Sequence, residues 1–177
     1  MAAQSSSATP TAITTVVTQL LLGAAAPYAL LAGTTITNSG ASVVIGDLGL
    51  SPGTLVAGFE SAVVYGVQNI ANSAAASALA ALTTTFNAAA ALTPTNVAAG
   101  DLGGSTLTSG VYASSTSLVI TGVLTLDGSP GDVFVFQMGS TLTTASASSV
   151  ILTGGVLASN VYWVVRDVLC VCSKIDC

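Results

Sequence analysis

Side chains able to do chemistry are few in this chain, and their order gives them little chance to cooperate. There is no histidine, and both basic residues, Arg166 and Lys174, follow Val165 together with all three cysteines, Cys170, Cys172 and Cys177. The 165 residues before them hold five carboxylates: Asp47, Glu60, Asp101, Asp127 and Asp132. Four of these stand beside glycine, as Gly46-Asp47, Gly100-Asp101, Asp127-Gly128 and Gly131-Asp132, contexts in which an aspartate caps its own turn. A glycosidase needs only a pair of carboxylates. Without a histidine base, a lysine nucleophile or a phosphate clamp, however, the composition predicts neither enzyme nor cofactor. Gly103-Gly104 and Gly154-Gly155 read as corners rather than phosphate loops, because no lysine follows them. The Cys-x-Cys pair and terminal cysteine are a weak metal or thiol motif without histidine, so no metal is expected. What the chain has in quantity is hydroxyl: Ser and Thr together number 44.

A surface built this way restricts its partners. Charged residues are 5% of the chain, against roughly a quarter in ordinary globular proteins. The net charge is −5 and the pI about 4.1. With no basic patch, the phosphate-neutralising contribution that drives nucleic-acid binding is missing. Attraction to an anionic membrane surface fails for the same reason. Mean hydropathy is +0.84, yet the apolar runs are broken by Gly, Ser, Thr and Asn and none reaches the ~20 residues of a spanning helix. Residues 12–26 end on Ala24-Ala25-Ala26, a small-residue cleavage pattern without a positive leader. Residues 1–21 are expected to be a disordered or signal-like segment. With no cysteine before residue 170, no disulfide framework holds the domain.

The elements that must position the hydroxyls follow from periodicity. Between residues 22 and 59, short strands alternate with turns at Asn38-Ser39-Gly40 and Ser51-Pro52-Gly53. An Ala-rich stretch over about residues 67–91 lacks Gly and Pro, and Ile70, Ala74, Ala78, Leu82 and Phe86 recur at helical spacing. It predicts one helix, stabilised by packing rather than by charge pairs. A helix that itself presents a binding row of hydroxyls is the competing reading, but Thr83-Thr84-Thr85 are adjacent rather than spaced along one face. From Gly103 the strands return as an internal repeat. Val111-Tyr112, Val133-Phe134-Val135-Phe136 and Val161-Tyr162-Trp163-Val164 follow at offsets of 22 and 28; Leu124-Thr125-Leu126 and Ile151-Leu152-Thr153 lie 27 apart; Ser117–Thr121 and Thr141–Thr143 form a third set. Three strand types per period predict a mainly β fold, a right-handed three-faced β-solenoid with one long helix packed alongside. Its domain spans residues 22–165, and residues 166–177 form an atypical tail.

Alternation then assigns faces. Leu107, Leu142, Ile36, Leu118 and Ile120 should point inward. The outward residues nominated as a binding array are Thr35, Thr37, Thr106, Thr108, Ser115, Ser117, Val119, Thr121, Thr141 and Thr143. Threonine also simply suits strand surfaces, which accounts for any one of them more easily than for a whole uncharged surface.

These residues bring out a resemblance to the secreted ice-binding (antifreeze) proteins of fungi, bacteria and algae. It is carried by Leu22-Gly23 through Tyr28-Ala29-Leu30-Leu31-Ala32, Ile45-Gly46-Asp47-Leu48-Gly49-Leu50-Ser51-Pro52-Gly53 and Gly58-Phe59. Further on it is carried by Asp101-Leu102-Gly103-Gly104, Gly110-Val111-Tyr112, Asp132 through Gln137, Gly154-Gly155 and Asn160-Val161-Tyr162-Trp163. The resemblance implies a discontinuous three-faced solenoid and binding of ice through one flat face, with ice growth and recrystallisation inhibited. It also implies a monomer without enzymatic activity. The family continues beyond its Asn-x-x-Trp strand with further coils that pack against the N-terminal coil, whereas this chain runs into Val164-Val165-Arg166-Asp167. That reads as C-terminal truncation, with strand edges left unpaired and edge-to-edge association as the consequence. The alternatives are a structural or adhesive cell-surface solenoid, for which exposed aromatics would argue, and a truncated inactive variant.

Overall fold

The structure, a computed structural model, describes residues 20–165 and the backbone alone of Val168–Val171. Of the tail cysteines, Cys172 and Cys177 lie outside the described residues. After a 3-10 turn at Gly23–Ala25 the chain winds two coils. The first is β1 (Tyr28–Ala32), β2 (Thr35–Thr37) and β3 (Val43–Ile45); the second is β4 (Asp47–Leu50), β5 (Leu55–Ala57) and β6 (Val63–Tyr65). A single strand, β7 (Gln68–Ile70), precedes α1 (Ser73–Ala90). The second stack begins with β8 (Asn96–Val97) and β9 (Thr106–Leu107). Two full coils follow: β10 (Gly110–Ser114), β11 (Leu118–Ile120) and β12 (Val123–Asp127), then β13 (Phe134–Met138), β14 (Leu142–Thr144) and β15 (Ser149–Thr153). It closes with β16 (Val161–Val165) and β17 (Val168–Val171).

Each strand pairs in parallel with its counterpart one coil on, which makes both stacks three-flanked. In the first stack the flanks are β1-β4-β7, β2-β5 and β3-β6; in the second they are β8-β10-β13-β16, β11-β14 and β9-β12-β15. Among the described residues no strand of one stack pairs with the other. The β-solenoid with a helix alongside is thus the observed architecture.

The core sits inside the coils. Tyr112, Phe136 and Trp163 occupy one register row and stack face to face, with ring centroids 5.3 Å and 4.2 Å apart. Stacking adds to the stabilisation from their area burial. Leu118, Ile120, Leu124 and Leu126 fill the space opposite. The first stack has a smaller core of Ile36, Leu48 and Leu50.

Two expectations are corrected. The helix begins at Ser73, not near residue 67, because Gln68–Ile70 is held in a ladder with β4 (Leu50 beside Ile70). Ala71 then turns the chain at φ +49, and the Asn72 side chain accepts from the Ala75 N–H at 2.9 Å, as an N-cap does. The buried stripe is Ala75, Ala78, Thr85 and Ala89, with Leu82 and Phe86 half-buried and Ala74 exposed. Those small residues let the helix lie closely on the outer sides of both stacks, where Ala89 and Phe86 meet Val111, Val135 and Tyr162. The second correction is register. Val111 stands beside Val135 and Tyr162, offsets of 24 and 27, and Leu124 stands beside Val150, an offset of 26. A one-residue slip reverses every side chain, so Ile151 faces outward rather than inward.

Residues 20–27, before β1, belong to the fold, so Leu20 and Leu21 are part of the domain expected to begin at residue 22. The Leu20 carbonyl accepts from the Tyr162 hydroxyl at 2.9 Å and the Leu21 carbonyl from Thr85 at 2.7 Å. β17 lies antiparallel along β16, so part of the tail covers that edge.

Candidate functional site

The nominated residues divide among three flanks. Ser117, Val119, Thr121, Thr141 and Thr143 come together on β11-β14, whose inward residues Leu118 and Ile120 are buried. Thr143 stands beside Val119, and the Thr141 hydroxyl donates to the Ser117 hydroxyl at 2.9 Å. Thr106 and Thr108 are exposed on the β9-β12-β15 side, Thr106 in register with Thr125. Thr35 and Thr37 are exposed on β2, but their neighbours on β5 are Leu55 and Ala57, so no threonine row runs there. Ser115 is exposed at the corner between β10 and β11.

Stacking spaces successive coils at the strand-to-strand distance of about 4.8 Å, while outward residues along a strand recur at about twice 3.3 Å. On β11-β14 this grid carries Ser117, Val119 and Thr121 above Thr141, Thr143 and Ala145, the last placed by its N–H bond to the Ile120 carbonyl. The only carboxylate bordering it, among the described residues, is Asp101, bridged to Val119. That carboxylate is occupied: it accepts the Thr121 hydroxyl, the Gly103 N–H at 2.8 Å and the Thr121 N–H at 3.1 Å. The Thr121 hydroxyl above all, with the Gly103 N–H next, holds its pKa below the ordinary carboxylate value.

The other aspartates are similarly tied. Asp47 accepts from the Val67 N–H at 2.8 Å, Asp127 from the Thr153 hydroxyl at 2.7 Å and Asp132 from the Ser129 N–H at 2.7 Å. Only Asp132 caps purely within its own turn; Asp47 and Asp127 bond to a neighbouring coil. Among the described residues no cluster of acidic, histidine or cysteine side chains suits a metal. A shallow groove beside the helix C-terminus is lined by Phe86, Ala113, Gln137, Met138 and Val164 and has no ionisable side chain. No described helix is long and apolar enough to cross a membrane.

Sequence reasoning passed over two outward surfaces. Thr125, Val123, Ser149 and Ile151 extend the Thr106 flank; Leu124-Thr125-Leu126 alternation carries the signal for Thr125, but the register slip hid Ile151. The β3-β6 flank exposes Val43, Ile45, Val63 and Tyr65, with Ile45 74% and Tyr65 65% accessible.

Residues 30–172 match the family model described as Ice-binding-like. This chain belongs to that family of ice-binding proteins. It is 47% identical over 138 residues to an ice-binding protein of Nostoc sp. (strain HG1), covering 76% of this chain and 51% of that one. It is 34% identical over 157 residues to an ice-binding protein of Flavobacterium frigoris (strain PS1), covering 80% and 57%. Among solved structures, an ice binding protein from an Antarctic biological consortium superposes with a TM-score of 0.83 at 44% identity, covering 86% of this chain and 71% of the other. One from the Antarctic ascomycete Antarctomyces psychrotrophicus gives 0.80 at 40% identity, covering 84% and 74%. The chain thus spans about half the length of these curated relatives.

Proposed function

We propose that this chain binds ice through the β11-β14 flank and thereby inhibits ice growth and recrystallisation. The observation that carries the reading is the family match over residues 30–172. The composition supports it. Ice presents neutral water oxygens at fixed spacing, and a rigid grid of methyls and hydroxyls can order an ice-like water layer that charged side chains would disrupt. Each contact is weak, but a face already held rigid by ladder bonds loses little further entropy on adsorption, so the contacts add. Crystals growing between adsorbed molecules must curve, which lowers their freezing point. The reading involves no enzymatic step, no nucleic acid and no membrane, and it places the protein outside the cell, where it meets ice.

Ice recrystallisation inhibition by the 177-residue chain tests this. Thr143→Lys should abolish most of the activity, whereas Thr106→Lys on the neighbouring flank should leave it near wild type, circular dichroism confirming that both are folded. The reverse pattern would move the ice face to β9-β12-β15; an inactive folded wild type would remove the function. A second reading, adhesion to another surface, is favoured by the apolar β3-β6 flank with its exposed Tyr65. The aromatics Tyr112, Phe136 and Trp163 that could have formed a glycan platform are buried.

A further inference from the structure

The β11-β14 array meets a formal charge at one border. Asp101 stands in register beside Val119, so its side chain leaves the coil on the same side as Val119 and Thr143. The chain turns away soon after, at Gly103-Gly104. There the Asp101 Oδ1 takes the place of a ladder carbonyl, accepting the Thr121 N–H at 3.1 Å. Asp47 does the same in the first stack, accepting the Val67 N–H at 2.8 Å, and valine brings no hydroxyl. A corner of this kind therefore needs only the N–H. The Thr121 hydroxyl, which donates to Asp101 Oδ2, is an addition.

That addition falls on the exposed array. Thr121 stands beside Ala145 on the following coil, and a methyl cannot bond a hydroxyl. At the other end of β11, Ser117 and Thr141 hold one another across the coils at 2.9 Å. Thr121 is instead held from the preceding coil, by Asp101. Gly103 permits this closeness, since a Cβ there would run into the Thr121 carbonyl oxygen. A threonine released from such a bond has staggered alternatives that exchange its methyl and hydroxyl positions.

We propose that Asp101 is a positioning residue for the ice face: its carboxylate holds the Thr121 side chain in one rotamer and so fixes where that methyl and hydroxyl stand. The role rests on the β11-β14 reading of ice binding. Because its proton is committed to Asp101, the Thr121 hydroxyl presents only acceptor lone pairs to ice. The donors gathered on the carboxylate in turn satisfy a charge that would otherwise order water against the array. A side chain already fixed loses no rotamer freedom on adsorption. Released among three staggered wells, it stands correctly roughly a third of the time, which weakens adsorption by up to about threefold.

Three-bond NMR couplings report the Thr121 χ1 angle in solution without ice, and ice recrystallisation inhibition reports adsorption. Wild-type protein should show a single Thr121 rotamer. Asp101→Ala should average it and raise the half-inhibiting concentration about two- to threefold. Asp101→Asn should restore the rotamer and most of the lost activity. Its amide oxygen can accept the Gly103 and Thr121 N–H groups while its nitrogen donates to the Thr121 hydroxyl oxygen. Asp47→Ala removes the equivalent corner bond away from the flank and should leave inhibition at the wild-type level. In a Thr121→Val background, Asp101→Ala should add nothing further. An equal loss in that background overturns the proposal, because the carboxylate would then act through the backbone corner. Averaged Thr121 couplings in the wild type overturn it whatever the variants do, and leave the ice reading standing. A folded wild type that fails to inhibit recrystallisation removes the ice reading, and the positioning role with it.

Discussion

At Asp101 one carboxylate gathers donors from two coils: the Gly103 N–H within its own turn, and the Thr121 hydroxyl and N–H one coil on. Its pKa is depressed in the folded state, so it contributes stability that is fully present above the unfolded aspartate value, about 3.9. That contribution is lost as pH falls through the lower folded value. Asp101→Asn should therefore melt below wild type at neutral pH, with the gap closing in strong acid; a gap constant across the acid range would dissociate the stability from the charge. The Gly-Asp context correctly announced a turn cap. The Thr121 partner was illegible, because it depends on which residue of the next coil falls alongside. The same limit explains the nominated surface: alternation identified outward threonines one strand at a time, but not which strands share a flank. It therefore mixed residues of β2, β9, β11 and β14.

Among elements, the helix shows how tertiary pairing overrides local periodicity. Ile70 has helical spacing with Ala74 and Ala78, yet its backbone belongs to the β4-β7 ladder, and Asn72 marks the true start. Removing the cap by Asn72→Ala should cost about 1 kcal/mol, read as a lower denaturation midpoint at unchanged slope; an unaltered midpoint would show that packing alone fixes the start. The corner glycines were legible from the repeat and carry a sharper consequence. Gly154 sits at φ +69, and an added Cβ would run into the Gly128 carbonyl oxygen of the coil before it. Gly154→Ala should therefore lose more than the ~1–2 kcal/mol that left-handed backbone alone costs. Strand existence, coil period and helix presence were readable because apolar alternation repeats. Register was not, since coil lengths vary from one turn to the next and shift the count at each corner.

Over the whole molecule, two stacks of unequal size share a helix rather than a sheet. The first stack has only the small core of Ile36, Leu48 and Leu50, while the second has the aromatic row and its aliphatic lining. Coils of some 45 residues bury too little surface to fold alone without help. The first stack must therefore draw on α1, which lies along β1, β4 and β7 and reaches β16. The helix in turn is fixed to the second stack by Gln137, whose amide donates to the Ala89 and Leu92 carbonyls at 2.8 Å and 2.9 Å. Dependence should run one way. Leu48→Ala, costing about 2–5 kcal/mol as a buried large-to-small change, should raise amide exchange in the first stack, at Asn38 and Leu48, and spare Gly110 and Leu118 in the second. Phe136→Ala, costing about 3–5 kcal/mol, should raise exchange in both. Equal loss in both stacks from either substitution would show a single cooperative unit and dismiss the helix as the intermediary. Loss confined to the second stack after Phe136→Ala would show that the first stands by itself.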